Sequence, residues 1–245
     1  MTAPPLKSIA RLGLALALCL GLLNTPQAEE LDSTEQSLQM AANWLNAAIA
    51  SKAGRGSRQI DAAILPMNVP NYYQFVASAY GENVSSDLGK PALSAYLQAN
   101  TLVDQRQIDT CFLLYNSNTK NDLETQFVAP HRKRYGNSIV PFAFIAAHEL
   151  GHCIEFQHNS PERMRMRSKL QLEVSADIFA ILLLRQTGVD AQELSTITAS
   201  RTNQSTTHAT WKWIQPALEK DFFFQSEKLI EDLWKTADKL SEQAQ

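Results

Sequence analysis

Charge is sparse in this chain and leans to neither sign. Lys and Arg number 22, Asp and Glu 25, and charged residues make up 19% of the total. A balance of −3 gives no electrostatic footprint for nucleic acid or for an anionic membrane. With 44% hydrophobic residues, the composition also excludes a largely disordered chain. Internal repeats and low-complexity tracts are missing, which excludes solenoids and arrays. Long apolar runs are missing beyond the N-terminal segment; residues 178–184 come nearest, and Arg185 ends them. Cysteine is limited to Cys19, Cys111 and Cys153. The 245 residues suffice for one sizeable domain or two small ones.

What is present begins with the pattern of an export signal. Lys7 and Arg11 form a positive start, and residues 12–23 form an apolar stretch of signal-peptide length. Cleavage after Ala28 suits the small-residue rule at that position, although Pro26 is unusual just before it. The stretch falls short of the roughly 20 residues that a membrane span needs. The expectation is therefore a signal peptide over 1–28, a periplasmic or secreted protein, and no stable membrane insertion. Leu18 before Cys19 does not suit a lipoprotein signal, which wants a small residue there. Cys111 and Cys153 remain, and in an oxidising compartment two cysteines can pair. Metal ligation by Cys153 is the rival role, but on a helix it points about 100° away from His152.

Residues 29–245 are expected to form one domain of the α+β class, mainly helical with a small sheet. Its N-terminal part, 29–105, reads as helical, and 106–245 as the catalytic core. Leu38, Leu45 and Ile49 set a helical spacing over 31–52, with Asp32 or Ser33 as its cap. Gly54, Gly56, Pro66 and Pro70 favour loop over 54–71. Short helices are expected at 71–80 and 91–99, the second with Pro91 in its first turn. Residues 110–115 (TCFLLY) are the clearest strand, short, apolar and bounded by polar residues. A long polar loop over 116–137 should follow. Helices are then expected at 138–157, at 162–187 with Gly188 as its stop, and at about 190–199, 208–219 and 226–242.

The chemistry is concentrated in residues 148–177. His148-Glu149-Leu150-Gly151-His152 is an HExxH pattern, and residues four apart share one helix face. Two imidazoles at that spacing can hold one Zn²⁺, and Glu149 can move a proton as general base. The surrounding segment, AFIAAHELGHCIEF, is apolar, so His and Glu would be costly to bury there unpaired. A catalytic zinc needs a third protein ligand. Glu155 has too short a helical leash to reach the same ion easily. His158 falls where a third histidine of the HExxHxxGxxH pattern would stand, but Glu155 occupies the glycine position that turns the chain. Glu173, 21 residues past His152, allows a turn and an antiparallel return helix. Asp177 shares its face and can receive the far N–H of a metal-binding imidazole.

HELGH followed by Glu173 and Asp177 in an ExxxD spacing resembles the gluzincin zinc metallopeptidases. The closest likeness is to the CaaX prenyl-endopeptidase family and its soluble periplasmic relatives. The match covers residues 140–185, less than a quarter of the chain, and that family's membrane helices have no counterpart here. The resemblance implies a zincin-like domain with His148, His152 and Glu173 as zinc ligands, Glu149 as the base and Asp177 as the partner of a ligand histidine. It also implies a substrate-binding edge strand upstream, for which residues 112–115 are the candidate. Gluzincins steady the oxyanion with a downstream His, Tyr or Arg; His208 is the leading candidate and Tyr135 the weaker one.

Other features say less. The basic clusters at 131–134 and at Arg163, Arg165, Arg167 and Lys169 read as solvated faces or as walls of an acidic-substrate path. Trp211 and Trp213 read as helix packing. The functional expectation is an exported zinc metallopeptidase acting on a protein or peptide. Its rivals are a non-catalytic, zinc-stabilised binding or regulatory protein on the same scaffold, and a hydrolase of cell-wall peptide cross-links.

Overall fold

The segment after the first helix alternates buried and half-buried residues with period two, and it folds as strand rather than loop. Ile60, Ala62 and Ile64 are buried while Asp61 and Ala63 are half-buried. The computed structural model describes residues 33–52, 60–67, 93–99, 109–116, 125, 128–202, 209–224 and 226–244. The expected helix at 71–80 and the segment 1–28 lie outside these. Helix α1 is Ser33–Lys52. Three strands follow: β1 (Ile60–Met67), β2 (Leu93–Ala99) and β3 (Asp109–Asn116).

These strands form a sheet of order β1-β3-β2, with β1 parallel and β2 antiparallel to β3. Two expectations fail here. Residues 60–67 are strand, not loop, and 93–99 are strand, not helix. Leu93, Ala95, Leu97 and Ala99 alternate with Ser94, Tyr96 and Gln98, a period-two signal that outweighs Pro91 as a helix start. Pro66 donates no N–H, and among the described residues β1 borders the sheet, where a missing donor is tolerated. The N-terminal part is therefore mixed, not helical. Residues 110–115 are strand as expected, but β3 lies between two neighbours and is no edge.

The rest is helical: α2 (Ala129–Tyr135), α3 (Val140–His158), α4 (Pro161–Met166), α5 (Lys169–Gln186), α6 (Ala191–Thr198), α7 (Trp211–Glu219) and α8 (Leu229–Ser241). Single 3₁₀ turns, Ala199–Thr202 and Ser226–Lys228, precede α7 and α8. Helix α2 stands inside the expected loop. Pro130 starts it, and its buried His131 meets Glu193 of α6 at 2.9 Å. The helix expected over 162–187 breaks at Arg167 and Ser168. Ser168 and Gln171 exchange bonds in a capping box that starts α5.

Arg167 explains the break. Its guanidinium turns inward onto Glu155 of α3, Asp238 and Ser241 of α8, and the Gln171 carbonyl. Arg163 also pairs with Asp238. These two arginines tie α8 to α3 and α4 instead of forming a solvated basic face. The core runs between sheet and helices: α1 lies on β1 and α3, β2 and β3 lie on α3, and α5 packs against α3, α7 and α8. Contacts divide the chain into the units Met1–Leu31 and Asp32–Gln245, and every described residue belongs to the second. No helix among the described residues is long and apolar enough to cross a membrane.

Cys111 of β3 and Cys153 of α3 form a disulfide, with Cα atoms 6.0 Å apart. Both residues are fully buried. The bond closes a loop across a sequence separation of 42, which by loop-closure entropy stabilises the fold by about 4 kcal/mol. Urea unfolding of Cys111→Ala/Cys153→Ala should show a loss of about that size. Equal stability of variant and parent would mean that the bond does not form.

Candidate metal centre

Helix α3 is buried from Val140 to His148, as a helix between a sheet and a second helix must be. Its partner α5 is buried from Val174 to Leu184. Gly151 lets the two approach. A Cβ there would stand 3.1 Å from the Ala176 Cα and 3.2 Å from the Phe179 ring. This close crossing lies one residue before His152 and three after Glu173, so it brings both helices' polar side chains to one point.

His148, His152 and Glu173 meet there, with one donor atom from each within 4.8 Å of the others. The individual separations are shorter. His148 Nε2 is 3.2 Å from His152 Nε2 and 3.4 Å from Glu173 Oε2, and His152 Nε2 is 3.7 Å from Glu173 Oε1. Two donors at 2.0–2.1 Å from a tetrahedral ion would be about 3.4 Å apart. The triangle thus has the size of one face of such a coordination shell. The imidazoles stand edge to face, with ring centroids 4.7 Å apart.

The orientation suits ligation. Asp177 is fully buried and accepts from His148 Nδ1–H at 2.8 Å, which turns Nε2 toward the group. Arg201 Nη2 donates to the same oxygen at 2.9 Å, and Thr210 Oγ1 donates to the other at 2.5 Å. Burial alone would raise the Asp177 pKa, but Arg201, His148 and Thr210 together hold it below the usual range. Burial opposes charge on His148, yet Asp177, aided by Glu173, carries its pKa up to about 10. Burial and the charged His148 push His152 down to about 4. A proton on His148 and a metal ion would compete for the same lone pair.

Glu149 follows His148 on α3 and is half-buried. Burial, aided by the nearby Glu173, raises its pKa to about 7 even though His148 and Arg201 act against the rise. A carboxylate poised there can take up and return a proton near neutral pH.

The rival ligands are used elsewhere. Glu155 is buried against Arg167, and His158 stacks on Trp234 with centroids 4.6 Å apart. Cys153 is held in the disulfide. Tyr135 stacks on His131, and its hydroxyl lies 3.5 Å from Thr196 Oγ1. His208 lies outside the described residues. Trp211 and Trp213 pack partly buried against the core. Sequence reasoning missed Arg201 and Thr210, which are 24 and 33 residues from Asp177 and carry no periodic signal.

In class, then, the chain is an α+β protein in which helices α3 and α5 bring together a His-His-Glu group able to hold a metal ion. Comparison with family models, with curated proteins and with solved structures finds no match for it.

Proposed function

We propose that this chain is an exported zinc metallopeptidase of the gluzincin type, resembling the soluble relatives of the CaaX prenyl-endopeptidases. The observation that carries the reading is the triangle of His148 Nε2, His152 Nε2 and a Glu173 carboxylate oxygen, with Glu149 beside it. The donor set, two imidazoles and one carboxylate, is the one used by catalytic zinc sites that keep a fourth position open. A zinc ion held there supplies a Lewis acid for the scissile carbonyl and acidifies water. Glu149 takes the proton from the attacking water and returns it to the leaving amine. Asp177 holds the His148 ring in place throughout. A purely structural zinc would have no use for a half-buried carboxylate on the residue next to a ligand histidine, which favours an enzyme over a zinc-stabilised binding protein.

The test is peptide hydrolysis by protein loaded with one equivalent of zinc, against a peptide library and, in parallel, a cell-wall digest. Cleavage abolished by chelation and restored by zinc is the expected result with the library. Release of cross-link fragments alone would transfer the site to cell-wall peptides. Inactivity on both substrates with zinc fully bound would favour the binding protein.

The substrate strand moves from β3 to β2. A central strand has both edges paired, so it cannot accept a peptide. Among the described residues β2 has β3 on one side only, and it lies on α3, the helix that carries both histidines. An extended peptide added to β2 would pass beside the metal helix. Proline at Tyr96 or at Leu97 removes one backbone N–H, and one of the two should face the peptide. That variant should raise KM about tenfold, the loss of about one good hydrogen bond, with zinc retained. Unchanged KM in both, with the fold intact, would remove β2 from substrate binding.

A further inference from the structure

Three donors converge on the buried carboxylate of Asp177 from three separate parts of the chain. His148 reaches Oδ1 from α3, Arg201 reaches the same Oδ1 from the turn after α6, and Thr210 reaches Oδ2 from the residue that precedes α7. Arg201 is 4% exposed and Thr210 not at all, so water does not compete for these bonds. A carboxylate held through one oxygen turns about its Cβ–Cγ bond, because such terminal torsions are broad. A donor on the second oxygen fixes the plane. Arg201 Nη2 stands 3.5 Å from His148 Nδ1, beside it on the oxygen that His148 uses.

We propose that Arg201 and Thr210 are positioning residues that set metal affinity through Asp177, without touching the ion. They hold the carboxylate so that His148 turns Nε2 into the group formed with His152 and Glu173. The inference rests on the reading of that group as a zinc centre. It adds that Arg201 and Thr210 belong to the metal site and not only to the core.

Arg201 also repels a dication, so removing its charge would mix two opposite effects. The informative variants keep the charge unchanged. Thr210→Val preserves shape and removes the hydroxyl. Arg201→Lys preserves the charge and loses the guanidinium fork. Zinc affinity of each apoprotein, measured by chelator competition, should fall about tenfold, the lower end of the range for outer partners of a ligand. Urea unfolding of the same apoproteins reports stability separately. Thr198→Val is the control: its buried hydroxyl donates to the Leu194 carbonyl at 2.8 Å, away from Asp177. It should lose stability and keep wild-type zinc affinity.

Wild-type zinc affinity in both test variants overturns the proposal, whatever their stability. Equal weakening in Thr198→Val overturns it too, since that would be general loosening. If Arg201→Lys does not fold, Thr210→Val decides alone. Failure of the wild type to bind zinc overturns the metal reading and this proposal with it, whereas wild-type binding with unshifted variants overturns this proposal only.

Discussion

Glu149→Gln is expected to keep its zinc and to lose turnover by about 10²-fold or more. The substitution preserves shape and most packing, and Glu149 is outside the triangle of donors. What it removes is a carboxylate that can accept the proton of the attacking water. Because the loss is confined to the chemical step, kcat should fall while KM moves little. Zinc content and steady-state kinetics on one preparation check both halves. Full activity with full zinc would mean that another base works, and the HExxH reading would lose its catalytic content.

Glu173→Ala is expected to lower zinc affinity by more than about 10²-fold, beyond the usual effect of losing an outer partner. His158→Ala should leave affinity unchanged, because His158 is stacked on Trp234 and is not part of the donor group. Metal analysis after dialysis against a weak chelator separates the two variants. The reverse pattern would describe a three-histidine site and would overturn the role given to α5.

The site was more legible than the fold, and the reason is range. His148 with His152, and Glu173 with Asp177, are pairs four apart, so helix geometry alone places each pair on one face. Antiparallel return of α5 onto α3 needs only a turn between them, and Gly151 marks where they touch. The strand at 110–115 was legible from its short apolar run. Its central position was not, because a strand's neighbours are chosen by distant segments. Strand β2 was misread because Pro91 suggested a helix start, although the residues from Leu93 to Ala99 alternate. Helix α2 was hidden by its polarity: Arg132, Lys133 and Arg134 look like loop, and only His131 is buried beneath them. Arg201 and Thr210 reach Asp177 across 24 and 33 residues, and nothing local announces such contacts. Arg163 and Arg167 read as solvated until Asp238, some 70 residues later, is placed beside them, whereas Arg165 and Lys169 are exposed as expected.

The central claim is that His148, His152 and Glu173 hold one zinc ion. X-ray absorption at the zinc edge on purified protein tests it most directly. The account predicts about one zinc per chain, with two imidazole nitrogens at about 2.0–2.1 Å, further oxygen neighbours at about 2.0–2.2 Å and no sulfur. A sulfur neighbour at about 2.3 Å, a single imidazole, or protein without zinc after loading would contradict it.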